Sequence, residues 1–221
     1  MRKVNKLAAA CTAKFVKNAL TARFSNSDCD RSHPSMKLFK IEHSQWAYRF
    51  DLYFYGTAPW VLFVLLITCG PTNLRAELLS LAALGFVSWS LMEYVLHRFV
   101  LHGLAPFSRW HDEHHQRPTA LICLPTAYSF GLIYLLVFLP SLGALGFWPA
   151  VALASGVLTG YAAYTLVHHA THHSKSMGHW FRRRKCHHAL HHAMHKKFGA
   201  AGGYFGVTSN LWDRIFRTLV D

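Results

Sequence analysis

Four long apolar stretches divide the chain, and polar or basic segments separate them. Their approximate limits are residues 53–69, 78–101, 121–139 and 147–172. About 20 helical residues cross a hydrocarbon core of about 30 Å, so each stretch is long enough to span a membrane. Short connections that contain Gly and Pro separate the first stretch from the second and the third from the fourth. The pattern predicts an all-α integral membrane protein with four transmembrane helices in two hairpins.

The segments outside these stretches predict two further parts. Residues 1–52 are basic and contain interleaved apolar positions, which indicates an amphipathic segment lying on the membrane surface. Residues 53–221 form the predicted membrane domain, in which residues 174–221 make a histidine-rich helical cap. Hydrophobic residues make up 52% of the chain and charged residues only 15%, well below the roughly 25% of a soluble domain.

The distribution of Lys and Arg predicts the orientation of the spans. Residues 1–52 carry ten of the 23 basic residues, residues 103–119 carry two and residues 174–221 carry nine. The connections on the other side carry only Arg75. By the positive-inside rule, both termini, the middle loop and the cap are therefore cytoplasmic. Because the net charge of +13 flanks apolar spans, it indicates contact with anionic lipid and no nucleic-acid partner.

The chain contains 17 histidines, and many of them recur at helical spacing. Residues three and four apart share a helix face, and the second and fourth stretches both end in histidines. The predicted metal ligands are His97, His102, His111, His114, His115, His168, His172, His188, His191 and His192. Ten imidazoles exceed the need of one ion, so the sequence predicts two. His169 and His173 form a shifted pair that spacing alone does not separate from His168 and His172.

The histidine pattern supports two further predictions, one about a pair of ligands and one about the isolated histidines. His97 and His102 are five residues apart, about 140° around an α-helix, which favours ligation of two different ions. Single histidines are usually ordinary surface or core residues, and this interpretation is preferred for His33, His43, His179, His187 and His195.

The few carboxylates near these histidines are Glu93, Asp112, Glu113 and Asp213. They are better placed to accept hydrogen bonds from ring N–H groups than to bind metal. Glu93 is the most informative, because a carboxylate inside an apolar span needs a partner. The alternatives are a salt bridge to Arg98 at the end of the helix, or a carboxylate that simply lies at the membrane interface.

The histidine motifs resemble those of the membrane fatty acid hydroxylase and sterol desaturase superfamily. HRFVLH, HDEHH, HHATHH and HHALHH occur in the order typical of that superfamily, between paired spans. LMEYVLHRFVLH and the segment FGVTSNLWDRIF, from Phe205 to Phe216, are most similar to the fatty acid 2-hydroxylases within it. The resemblance covers about residues 85–218.

The resemblance implies a non-haem, histidine-ligated di-iron enzyme that uses O2 to hydroxylate a fatty acyl chain, at its 2-position, of a membrane lipid or acyl substrate. It assigns the ten histidines as ligands, and Zn would be an inactive substitute for iron. By analogy, one ion takes His97, His111, His114, His188 and His191. The other takes His102, His115, His168, His172 and His192.

Nothing in the chain resembles the cytochrome b5 domain that many relatives carry. Electrons are therefore expected from a separate donor, a cytochrome b5-like protein or a ferredoxin. The short, single-domain build favours a bacterial inner membrane over the endoplasmic reticulum.

Two groups of alternatives remain open at the level of sequence. One is a carotenoid hydroxylase or sterol desaturase of the same superfamily. The other is a membrane metal-binding or transport protein. A transporter would place ligands near the middle of the bilayer, whereas these histidines follow the ends of spans.

Overall fold

The computed structural model describes residues 42–175, 178–199 and 202–219, so residues 1–41 of the predicted surface segment at residues 1–52 lie outside them. The helices are α1 (Gln45–Cys69), α2 (Arg75–Val95), α3 (Phe107–Gln116), α4 (Thr126–Ile133), α5 (Leu139–Leu145), α6 (Phe147–His173), α7 (His179–Phe198) and α8 (Leu211–Ile215). A 3₁₀ turn (Thr72–Leu74) precedes α2, and π-helical segments follow α2 (Leu96–Leu101) and α4 (Tyr134–Phe138).

Within the described residues, four continuous helical stretches are long and apolar enough to cross a membrane, which confirms the predicted all-α fold with four spans. They are Gln45–Cys69, Thr72–Leu101, Thr126–Leu145 and Phe147–His173. The first begins earlier than predicted, because Ser44 caps α1 by accepting a hydrogen bond from the N–H of Ala47.

The third span differs from its prediction at both ends. The sequence predicted that the third stretch ends at residue 139, before Pro140, but the helix continues to Leu145. Pro140 lies just after the π-helical segment Tyr134–Phe138, so the helix accommodates at this irregular turn a proline that usually ends a helix. Residues 121–125 precede the helix, and Ile122 pairs with Glu42 in a short antiparallel bridge instead.

Helix α6 forms the centre of the bundle, because a larger share of its residues is buried than in the other three spans. It packs closely on α2 through small residues. A methyl group added at Gly156 would lie 2.0 Å from the carbonyl oxygen of Ala82, and one at Gly85 would lie 2.3 Å from that of Leu153. Such backbone contact is typical of membrane helices with small residues at their interface. It sets the two histidine-bearing helix ends side by side.

Polar contacts inside the bundle attach α1 to α4. The hydroxyl groups of Tyr55 and Ser129 lie 2.7 Å apart, and Thr126 donates a 2.7 Å hydrogen bond to Asp51. Buried polar groups are costly without partners, so these pairs fix how α1 and α4 meet near the histidine end.

The C-terminal segment of residues 202–219 returns to α2. Trp212 of α8 donates a 3.0 Å hydrogen bond from its indole N–H to Ser90, and Phe216 stacks on Tyr94 with ring centroids 5.2 Å apart. The preceding residues, 203–208, are here called the tail loop. They lie against the histidines at the end of α2.

Candidate metal centre

The end of α2 is π-helical, and this changes the relation between its two histidines. A π-helix bonds residue i to residue i+5, so side chains five apart lie on about the same face. The rings of His97 and His102 are stacked with centroids 5.1 Å apart. The prediction that these histidines point about 140° apart toward different ions is therefore wrong. It assumed α-helical geometry through a segment that is not α-helical.

Three other helices bring the remaining histidines to the same place. Helix α3 presents His111, His114 and His115, whereas α6 presents His168 and His172, and α7 presents its own i, i+3, i+4 set. All ten predicted ligands converge at this end of the bundle. His97 and His188 are 2% exposed and His191 is 1% exposed, so the centre is largely shielded from solvent.

The convergent imidazoles fall into two groups that could each hold a metal ion. The first group is His97, His102, His111, His115 and His191, and the second is His114, His172, His188 and His192. His168 lies beside the second group, with its ring 4.8 to 4.9 Å from those of His114, His172 and His188.

This grouping differs from the partition expected from the resemblance. His102 and His115 lie with the first group, and His114 and His188 lie with the second. The physical reason is the π turn, which brings His102 to the side of His97, together with the position of α3 between α2 and α7.

Ring nitrogens in both groups approach one another as ligands of one ion do. Six Nε2···Nε2 distances lie between 2.8 and 3.1 Å. Two ligands at about 2.1 Å from a metal and at right angles are about 3.0 Å apart. Hydrogen bonds cannot account for all of these contacts, because a neutral imidazole carries one N–H, and His191 Nε2 lies 3.1 Å from both His102 and His115.

Orphaned nitrogens support the same conclusion in the second group. His114 has no hydrogen-bond partner at either ring nitrogen in the described part of the chain, and His168 has none at Nε2. A buried nitrogen without a partner is costly, and a metal ion would satisfy it. The residues present therefore fit a pair of histidine-ligated metals.

The rings are held in the neutral form that a metal requires. Burial, followed by the neighbouring imidazoles, lowers the pKa of His102 to about 2 and that of His114 to about 3. Burial likewise lowers the pKa of His192 to about 3 and that of His191 to about 4. Because a protonated imidazole cannot ligate, these shifts keep the nitrogens available at neutral pH.

The two possible histidine pairs at the end of α6 are His168 with His172 and His169 with His173, and they face different directions. His168 and His172 face the centre, whereas His169 faces α1, where its Nδ1 lies 3.1 Å from the Tyr48 hydroxyl. His173 stacks on His169 with centroids 4.7 Å apart. This packing favours His168 and His172 over the shifted pair as ligands.

One residue of the centre was missed in the sequence. His195 was expected to be an ordinary histidine, yet its ring lies 4.6 Å from His102 and 4.3 Å from His115. Its Nε2 is 2.9 Å from the carboxylate of Asp112, as was expected of that carboxylate toward a ring nitrogen. The signal that could have found His195 is its spacing, four residues after His191 on α7.

The remaining histidines lie apart from the two groups. His43 contacts the carbonyl oxygen of Cys123 at 3.1 Å, and His179 is exposed at the start of α7. His187 is buried 3.7 Å from Asp213 and beside the ring of Tyr204. His33 lies outside the described residues.

Glu93 has neither of the two partners considered in the sequence. It accepts hydrogen bonds from the N–H of Val207 at 2.6 Å and of Thr208 at 2.9 Å, and from the hydroxyl of Thr208. Arg98 instead donates to the Tyr94 hydroxyl. The buried carboxylate therefore binds the tail loop, and among the described residues it has no hydrogen bond to an imidazole.

A sequence model of the fatty acid hydroxylase family matches residues 82–218. The chain belongs to the fatty acid hydroxylase family. This match includes all ten of the convergent histidines together with Glu93 and Asp213.

Named relatives agree with this family. A dihydroceramide fatty acyl 2-hydroxylase of Arabidopsis thaliana is 32% identical over 73% of this chain and 69% of its own length. A fatty acid 2-hydroxylase of Macaca fascicularis is 33% identical over 64% of this chain, and the match covers 40% of that relative. The chain thus spans well under half of the primate protein's length.

A solved structure shares the fold. The visible hydroxylase domain of full-length Scs7p superimposes with a TM-score of 0.64 at 25% sequence identity. The similarity covers 82% of this chain and 68% of that one.

Proposed function

We propose that this protein is an O2-dependent di-iron hydroxylase that inserts a hydroxyl group at the 2-position of a fatty acyl chain, in a membrane lipid or acyl substrate. The observation that carries the proposal is the convergence of two buried imidazole groups at the shared end of two packed spans. Family membership and relatives named as 2-hydroxylases support the reaction.

The proposed ligands are the ten histidines predicted from the sequence, divided into the two groups described above. One iron would be held by the first group, and the other by the second group with His168. The groups adjoin, since the rings of His115 and His192 stack with centroids 4.2 Å apart. When bound, the iron pair supplies O2 activation and oxidation of the C–H bond, for which redox-inert Zn is no substitute.

The depth of the centre supports hydroxylation at carbon 2. The histidines lie at the ends of spans, near the level of the lipid headgroups. Of the acyl carbons that bear hydrogen, carbon 2 is nearest the polar carbonyl end, which stays at that level while the rest of the chain lies deeper. The buried ligands exclude water from the reacting carbon.

The proposed orientation places the centre on the cytoplasmic side, in a bacterial inner membrane or the endoplasmic reticulum. Support comes from the Lys and Arg distribution along the chain. The electrons would come from a separate cytochrome b5-like protein or a ferredoxin. Exposed Arg182 and Arg183 on α7 suit the acidic surface of such a carrier.

Expression in a host that lacks 2-hydroxylated lipids tests the function. Lipid mass spectrometry under ¹⁸O2 should show one labelled oxygen at carbon 2 of acyl chains, and His114→Ala and His191→Ala should abolish it. The exposed His179→Ala variant is the matched control and should retain full product. Full activity in either buried variant would contradict the assignment of the metal site. Labelled sterol or carotenoid products would favour the other members of the superfamily.

A further inference from the structure

Two buried carboxylates hold the tail loop by its backbone. Asp213 is 0% exposed and accepts 2.8 Å hydrogen bonds from the N–H groups of Phe205 and Gly206. Glu93 accepts from those of Val207 and Thr208. Four consecutive backbone donors are therefore bound by two side chains that come from α2 and α8.

The same loop presents carbonyl groups to the candidate metal centre. The carbonyl oxygen of Phe205 accepts the Nδ1–H of His97, and that of Gly203 accepts the Nδ1–H of His191 at 2.9 Å. With the proton fixed at Nδ1, the lone pair of Nε2 in both rings points into the first group. Hydrogen bonds of this kind orient a ligating imidazole and raise its basicity.

The second group has no such support from the tail loop within the described residues. The Nδ1 atoms of His114 and His188 are buried without a hydrogen-bond partner, as are those of His102 and His115 in the first group. The two groups therefore differ in one respect: two rings of the first group, His97 and His191, are fixed by carbonyl groups of the tail loop.

We propose that Glu93 and Asp213 are positioning residues that act through the tail loop on the first group alone, so that the protein holds its two metals unequally. This inference rests on the proposed metal centre. Loss of Glu93 would free the Val207–Thr208 side of the loop, and with it the acceptors of His97 and His191. The affinity of the first group should fall, and that of the second group should stay the same.

The wild-type protein and Glu93→Ala, purified in detergent and loaded with Fe(II), provide the test. Metal analysis and the rate of Fe(II) loss to a colorimetric chelator are measured for each. We expect two irons in the wild type, and in the variant one iron lost or released about ten times faster while the other is unchanged. Glu77→Ala, at the exposed far end of the same helix, is the matched control.

Ligand variants identify which iron responds. His172→Ala removes a ligand of the second group, so the iron it retains belongs to the first, and adding Glu93→Ala should accelerate release of that iron. His115→Ala leaves the second group, and there Glu93→Ala should change nothing. Equal acceleration in both backgrounds, or in neither, would overturn the inference.

Two further variants keep the test decisive if Glu93→Ala does not fold. Glu93→Gln keeps one oxygen for the two N–H groups and should restore most of the slow release. Gly206→Ala leaves both carboxylates in place but sets a methyl group 1.9 Å from the carbonyl oxygen of Ser209, so it must displace the loop. It should accelerate release of one iron, and unchanged release would count against the loop. A wild type that binds fewer than two irons would instead contradict the proposed function.

Discussion

The ends of α2 and α6 both bring two histidines to the candidate metal centre, but the two ends differ in helical geometry. Both spans reach the membrane face and there supply two histidines to the centre. At the end of α6 the helix stays regular, and His168 and His172 share a face at i, i+4. At the end of α2 the helix widens, and His97 and His102 share a face at i, i+5. The difference shows that histidine spacing is matched to local helix type, and that spacing alone does not reveal which type is present.

The largest expected effect comes from adjacent histidines at the end of α6. His172→Ala removes an inward ligand and should reduce product formation at least about 100-fold, with loss of one iron per chain. His173→Ala removes an outward ring and should change activity less than about twofold. Lipid mass spectrometry and metal analysis check both. Equal losses in the two variants would break the distinction between inward and outward faces.

A shift of one position tests the π-helical end of α2. The double variant Leu101→His/His102→Leu moves the second histidine to position 101. It then lies four residues after His97, which is the spacing that suits an α-helix. Because the segment is π-helical, the moved ring should leave the first group, and activity should fall by about tenfold or more. His102→Leu alone is the control for loss of the ring. Wild-type activity in the double variant would show that the segment adapts as an α-helix.

The close contact between α2 and α6 keeps the two ends side by side. Gly156→Ala places a methyl group against the backbone of α2 and should cost about 1 to 3 kcal/mol of stability. Gly131→Ala, in α4, meets nothing within 4 Å and should be neutral or stabilising by up to about 1 kcal/mol. Thermal unfolding in detergent measures both. A neutral Gly156→Ala would show that the spans separate without cost.

Acid should destabilise the metal-free protein. The contribution of any single histidine to this loss of stability is the smallest of the predicted effects. Burial lowers the pKa of His187 to about 3, as it lowers those of the ligands, whereas an unfolded histidine has a pKa of about 6.5. Below pH 6.5 the unfolded state therefore binds more protons, and stability is lost at up to about 1.4 kcal/mol per pH unit for each such ring.

Thermal unfolding between pH 7.5 and 5 measures this slope. His187→Asn should make the slope shallower, because the variant lacks one of the buried rings that take up a proton on unfolding. A melting temperature that does not vary over this range would contradict the neutral, buried state of the imidazoles.

Much of the candidate centre was predictable from residue type and position. The ten convergent histidines follow the ends of apolar stretches or recur at i, i+3 and i+4, and both signals are local. His195 escaped because one imidazole among basic residues resembles a surface position. The partners of Glu93 escaped prediction because Val207 and Thr208 lie more than a hundred residues away in the sequence.

The sequence by itself determined the four spans, their order and the histidines that follow them, because span length and helical spacing depend on neighbours along the chain. Only the tertiary structure decided how the histidines divide into two groups. That division depends on the π turn after α2 and on the backbone contact between Gly156 and Ala82. It depends also on the tail loop, which Glu93 and Asp213 bring back to the end of α2. The helix contact and the tail loop join residues far apart in the sequence, and histidine spacing within one helix encodes neither these contacts nor the π turn.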